Sequence, residues 1–478
     1  MSSNSVESAK ESKVPKEPVE AGPRPPGAYD APGTPGTPET PSTPGSLGTL
    51  EAPKPPEASE TPASTPTPPS PHPPTHIPAQ LDASVTPLSP PLPGIVGRIL
   101  AIPGWRPQPF GWRDWVIATI LFAVTSAIRL GTMRLLTSAH SFTDVLQQWD
   151  ALHFVDIAQY GYFSSDGQGG PEPDVFQQRL AFFPGLPALI QQVHLLTGLG
   201  YVASGWLVVA LAGIVMTAGI MVLAALLGAG YRGRILAGIL FLGAPMAVTF
   251  NMVYTEAPFL ALCVWALIFM IQERWWQTTV LIYLLGFVRL TAIDLVATFA
   301  IIVLLYARTN WRAWLGVAVS GLSLITYIRF ASASTQDIGG YFGMQSKGWN
   351  STFDWGVATV DWVYSTLTEF NDIGYILSVV SIIGAPIAML IAFRRLPWAL
   401  WVFGAGITAN VLLSDGIMHS RPRLLLPALL LLLPVVLWLE KLSRRVGWHT
   451  VWVVPAVLWF AFGTCFSAFM LVFFEWAI

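Results

Sequence analysis

From Trp112 to the C-terminus, apolar stretches recur with short polar breaks between them. About 20 helical residues cross hydrocarbon, so block length predicts spans near 114–136, 201–227, 235–250, 256–272, 278–288, 291–306, 313–331, 373–393, 398–413, 424–440 and 450–474. The blocks 278–288 and 291–306 are short, and read either as two short helices or as one broken helix lying against others. The predicted fold is therefore an all-α polytopic membrane protein of about eleven transmembrane helices.

Residues 1–95 follow a different pattern. Stretches such as APGTPGTPETPSTPGSLGT and STPTPPSPHPPTHIP hold too little apolar surface to offset chain entropy, so this segment is expected to be a disordered tail. Its proline content would also suit an extended ligand for a partner protein. The first twenty residues lack an apolar core, which leaves the first span to direct insertion. Over the whole chain 53% of residues are hydrophobic and only 11% are charged, far below the quarter usual in soluble domains. A net charge of −2 gives no footing for nucleic acid. Cys263 and Cys465 both lie inside apolar blocks and read as packing residues.

Positive charge orients the chain. Alternate loops hold Arg232 and Arg234, then Arg274, then Arg308 and Arg312, then Arg394 and Arg395, then Lys441, Arg444 and Arg445. With Arg106 and Arg113 they fall on one side, which is predicted to be cytoplasmic together with the tail. The opposite side receives the long loop 137–200, the turn 251–256, the segment around Arg289, the loop 332–372 and the turn 414–423.

Those outer segments carry the candidate chemistry. They include WDALHFVDIAQYGY (149–162), RLAFFPGLPALI (179–190), FNMVYTEAPF (250–259), FVRLTAID (287–294), GMQSKGWNSTFDW (343–355) and DGIMHSRPRLLLPA (415–428). Apolar stretches in the first loop predict helices lying in the membrane interface. Each segment sets ionisable groups against an apolar wall, and with almost nothing polar at mid-span they predict one cavity at the outer rim. Asp150 and Glu256 supply carboxylates; Arg179, Arg289, Arg421 and Arg423 supply cations, with His419 beside the last pair. There is no HExxH, CxxC, P-loop or serine nucleophile elbow, and no GxGxxG with its strand and helix around it. A carboxylate that can take a proton from a hydroxyl, opposite guanidinium forks that hold phosphate, is equipment for displacing a lipid phosphate from a sugar carbon. Local readings compete. Asp150 would also suit a helix cap, Glu256 would complement a helix dipole, and boundary arginines snorkel to headgroups.

WDALHFVDIAQYGY followed by RLAFFPGLP resembles the PIG-V family, the second mannosyltransferase of GPI-anchor synthesis, and its bacterial relatives. The resemblance continues through VYTEAPF, the Arg of FVRLTAI, the Gln and Trp of QSKGW, and SRPRLLLPA, in order over about 112–478. Thr291-Ala292 stands where the family has a glycine after the arginine. The Pro-rich tail, with this Ala/Gly/Pro/Trp usage, looks actinobacterial, and a bacterium makes no GPI, so the acceptor is left open. The resemblance implies a GT-C glycosyltransferase bundle with a long first outer loop. It implies transfer of a sugar, mannose by analogy, from a polyprenyl-phosphate donor to a hydroxyl of a lipid-linked or protein acceptor, with inversion at the anomeric carbon. It implies Asp150 as the general base. His153, Arg179, Tyr254, Glu256, Arg289, Gln345, Trp349, His419, Arg421 and Arg423 are the candidate substrate contacts. It implies no cofactor or metal besides the lipid-linked donor, and a bacterial plasma membrane with the active site on the extracytoplasmic face. The rival class is a transporter or lipid flippase, which would need polar or broken-helix sites at mid-membrane.

Overall fold

The computed structural model describes residues 109–137, 142–164, 179–369, 372–446 and 449–474. The expected tail, 1–95, lies outside them. The chain runs α1 (Trp112–Leu136), α2 (Phe142–Leu146), α3 (Asp150–Tyr160), α4 (Gly185–Thr197), α5 (Tyr201–Leu226), α6 (Tyr231–Leu242), α7 (Glu256–Ile271), α8 (Trp275–Leu285) and α9 (Ala292–Tyr306). It continues as α10 (Trp311–Ser320), α11 (Leu322–Ser334), α12 (Gly340–Trp349), α13 (Val357–Glu369), α14 (Ile373–Ala392), α15 (Trp398–Leu412), α16 (Arg421–Leu424), α17 (Leu433–Val446) and α18 (Val454–Val472). Among the described residues one isolated antiparallel bridge, Phe353 to Ser414, interrupts this helical architecture.

Among the described residues six helical stretches are long and apolar enough to cross a membrane: Trp112–Leu136, Tyr201–Leu226, Trp311–Ser334, Ile373–Ala392, Leu426–Arg444 and Val451–Val472. With the shorter apolar helices α7, α9 and α15 they make this an integral membrane protein. The structure refines several predicted spans. Block 235–250 is α6, ending at Leu242, then a turn and a 3-10 segment, Ala247–Asn251. Pro245 lies in that turn, and a proline cannot continue the backbone ladder. Block 278–288 is α8, 11 residues long and separate from α9. At 1.5 Å per residue neither α6 nor α8 spans about 30 Å of hydrocarbon by itself. Block 424–440 opens with α16 and a 3-10 stretch, Leu426–Leu432, before α17.

α7 is the most enclosed helix, packed between α5 and α8 and buried along nearly its whole length. In the first long loop α4 buries Leu186, Pro187 and Ile190 but leaves Leu189, Leu195 and Leu196 exposed, the partition of a helix lying against lipid.

The two ends of the bundle differ. At one end Asp114 pairs with Arg234 at 2.8 Å, and Glu440 accepts from the Gly230 backbone N–H and pairs with Arg444. At the other end α3, α7, α16 and the segment before α9 converge, bringing two carboxylates and two arginines together. The approach is tight there. Gly185 at the start of α4 donates its N–H to Phe287 O at 2.7 Å, and a Cβ on Gly185 would stand 2.7 Å from that same oxygen. Only glycine fits. Gly185→Ala is expected to cost about 1–3 kcal/mol, because a backbone oxygen cannot give way as a side chain can. Thermal unfolding of the detergent-solubilised protein checks this, and an unchanged midpoint would mean the contact is loose.

Candidate active site

α3 begins at Asp150, and Trp149 before it sits at φ 61, a left-handed conformation that is strained for a tryptophan. The Tyr254 hydroxyl donates to Gln148 O at 3.4 Å, and Trp149 packs against the core, so neighbours on both sides hold this bend. Trp149, and not Asp150, occupies the N-cap position. Asp150 is the first residue of the helix, and its carboxylate accepts from Arg423 Nη1 at 2.7 Å.

Glu256 likewise opens α7. Its Oε1 accepts from Arg289 Nη1 at 2.8 Å and lies 3.5 Å from Arg423 Nε. Its Oε2 is buried and has no hydrogen-bond partner among the described residues. Glu256 therefore joins the two arginines from behind, while the Arg423 guanidinium also lies over the Tyr254 ring, 5.1 Å from its centre. Burial alone would lower the Arg423 pKa, but Asp150 and Glu256 raise it further than that, so the cation is secure.

A cavity of about 220 Å³ opens beside this tetrad. Asp150, Arg289 and Arg423 line it together with Gln345 and Trp349. The rest of its wall is largely apolar and aromatic, with Phe154, Phe182, Phe183 and Tyr341, and carries the hydroxyls of Thr255 and Thr291. Gln345 Nε2 donates to the Tyr341 hydroxyl one helical turn back on α12, at 3.1 Å. Phe182 meets Trp349 edge-on at 6.2 Å and stacks on His153 at 4.7 Å. His153 thus backs the wall. Its burial holds the imidazole below its ordinary pKa although Asp150 and Asp156 pull the other way.

Among the sequence candidates, Asp150, Arg289, Gln345, Trp349 and Arg423 line one cavity, with Tyr254, Glu256 and His153 directly behind them. Three others are placed elsewhere. Arg179 is buried, donates to Gly161 O and Ser164 O, and pairs with Asp156 at 3.5 Å, which closes the first loop on itself. Arg421 is buried against the Thr359 hydroxyl and Ser414 O, tying α13 to the end of α15. Burial lowers its pKa to about 10, against the pull of Asp354 and Asp415. His419 packs against the rings of Tyr375 and Phe474. Arg421→Gln is accordingly expected to lose roughly 1–3 kcal/mol of stability from two unmade hydrogen bonds. Thermal unfolding checks this, and an unchanged midpoint would mean that Arg421 does not tie these elements together.

Sequence reasoning did not single out the wall residues Phe154, Phe182, Phe183, Thr255 and Thr291, which all stood in its quoted stretches, and it did not reach Tyr341, which lies outside them. It also missed Arg129. That side chain is fully buried within α1 and donates to Asn251 and to Leu242 O at the end of α6, while Asn251 donates to Ser126. An arginine inside α1 thus satisfies the carbonyl that the break after α6 leaves open.

No family model matches this chain, and no curated protein matches it. Solved structures similar to it include two of ArnT. ArnT from Cupriavidus metallidurans bound to undecaprenyl phosphate is 18% identical, with a TM-score of 0.46 over 73% of this chain and 64% of that one. ArnT from the same source in the apo state is 15% identical, with a TM-score of 0.45 over 74% of this chain and 77% of that one. The chain thus spans a little under two thirds of the length of the first.

Proposed function

We propose that this protein is a membrane glycosyltransferase of the GT-C type, which moves a sugar from a polyprenyl-phosphate donor to an acceptor hydroxyl. One observation carries the reading: a carboxylate and two arginines meet at the edge of a single cavity whose remaining wall is aromatic and hydroxyl-bearing. Arg289 and Arg423 would receive the donor phosphate, since guanidinium groups stay charged and fit phosphate oxygens. Asp150 would take the proton from the acceptor hydroxyl as its oxygen attacks the anomeric carbon. The carbon–phosphate-oxygen bond breaks, its electron pair leaves on the polyprenyl phosphate, and the anomeric configuration inverts. Phe182, Trp349 and Gln345 would hold the sugar by ring contact and an amide hydrogen bond.

Mannose is the sugar the sequence resemblance implies, and the acceptor is a lipid-linked or protein hydroxyl at the extracytoplasmic face. The alternation of arginine-bearing loops supports that orientation, with Arg232, Arg234 and Arg444 at the end remote from Asp150. The test is transfer of radiolabelled mannose from polyprenyl-phosphate mannose to a membrane-lipid extract by purified protein in lipid. Labelled product supports the reading. If polyprenyl-linked mannose and a panel of other polyprenyl-linked hexoses all give none, the enzyme reading falls and transport becomes the reading to pursue.

A further inference from the structure

The ion pair between Asp150 and Arg423 sits awkwardly with catalysis. A base must reach an acceptor hydroxyl, yet here the carboxylate is occupied by the cation assigned to the donor phosphate, 2.7 Å away. The two partners are held very differently. Arg423 is 11% exposed, with Glu256 3.5 Å from its Nε and the Tyr254 ring beneath its guanidinium. Glu256 is itself 3% exposed and fixed by Arg289. Asp150 is 28% exposed on the cavity rim, and among the described residues no second ion pair holds it. When the pair opens, Asp150 is the member free to let go.

We propose that Asp150 and Arg423 form a latch that the donor phosphate opens. This rests on the donor reading above. Until a donor binds, two carboxylates neutralise two arginines, and the base is masked. A phosphate oxygen entering the cavity takes the Arg423 Nη1–H from Asp150, while Glu256 and Tyr254 keep the guanidinium in place. Asp150 is released as a free carboxylate beside the sugar only when a donor is bound. The consequence is an order of events, donor before acceptor, and a base that does not act on water or hydroxyls until a donor is bound. Glu256 becomes the positioning residue that keeps Arg423 seated through the exchange.

A latch makes Asp150 a competitor of the phosphate, so losing its charge must tighten phosphate binding. The test measures binding of undecaprenyl phosphate to the full-length protein in lipid nanodiscs, for wild type, Asp150→Asn and Asp156→Asn. Asp156 lies on the same helix but pairs with Arg179, so its variant reports general loss of negative charge. Asp150→Asn is expected to bind at least tenfold more tightly than wild type, and Asp156→Asn within twofold. Size-exclusion profiles and unfolding midpoints verify that each variant is folded. The structure of the wild-type complex gives an independent reading, with Asp150 and Arg423 expected beyond 4 Å. Equal or weaker binding by Asp150→Asn, the same gain in Asp156→Asn, or an intact pair in the complex overturns the latch and leaves the donor site standing. No binding by any form overturns the donor reading and the latch with it.

Discussion

Asp150→Asn is expected to keep its fold and to lose at least about 100-fold in kcat for sugar transfer. A positioned general base contributes roughly 10²- to 10⁴-fold, and the amide cannot accept the proton. The substitution is nearly isosteric at the first position of α3, and the amide oxygen can still accept from Arg423. The cavity wall should therefore survive intact. The split between kinetic constants is the informative part. A base acts in the transition state, so the loss belongs in kcat, while the KM for donor should fall if the carboxylate competes with the phosphate. Single-turnover transfer at saturating donor checks it. A variant within threefold of wild type would remove Asp150 from the mechanism and leave it as an acid serving the helix dipole.

Much of this site was legible because each of its charges breaks an apolar run at the same end of a span. Asp150, Glu256, Arg289 and Arg423 all stand within a few residues of a helix start, and alternation of arginine-bearing loops sends those starts to one side. Sequence could not choose between Arg421 and Arg423. Both lie in the single turn α16, two residues apart, and at about 100° per residue they point to nearly opposite sides. One meets Asp150 and the other Thr359, and that division depends on which helices flank the turn. Arg179 was hidden for a related reason, since its partners are backbone oxygens of Gly161 and Ser164, reached only once the loop folds back. The break in block 235–250 escaped hydropathy because Pro245 is compatible with an apolar stretch but not with a continuous helix. Arg129 was missed because its partner, Leu242 O, lies 113 positions away.

The second large effect belongs to Arg423, and Arg423→Lys is the sharper substitution because it keeps the charge. The guanidinium uses separate nitrogens for separate tasks: Nη1 reaches Asp150 at 2.7 Å while Nε faces Glu256 at 3.5 Å. An ammonium is one point on a flexible stem and cannot hold both carboxylates and then present a fork to phosphate. Lysine should settle on one carboxylate, and the buried Glu256 is the more demanding, since it already has an oxygen without a hydrogen bond. The donor phosphate would then meet Arg289 alone. Arg423→Lys is expected to raise the KM for donor and lower kcat together, with kcat/KM down by about 10²- to 10³-fold, the scale of losing one charge-stabilising donor. Arg423→Met should fare worse and lose stability as well, because removing one partner of a buried pair costs roughly 3–5 kcal/mol. Steady-state kinetics on folded protein, beside thermal unfolding, separate the two. If lysine restores transfer to within about threefold of wild type, charge alone suffices at this position, and the bidentate grip on phosphate assigned to Arg423 is wrong.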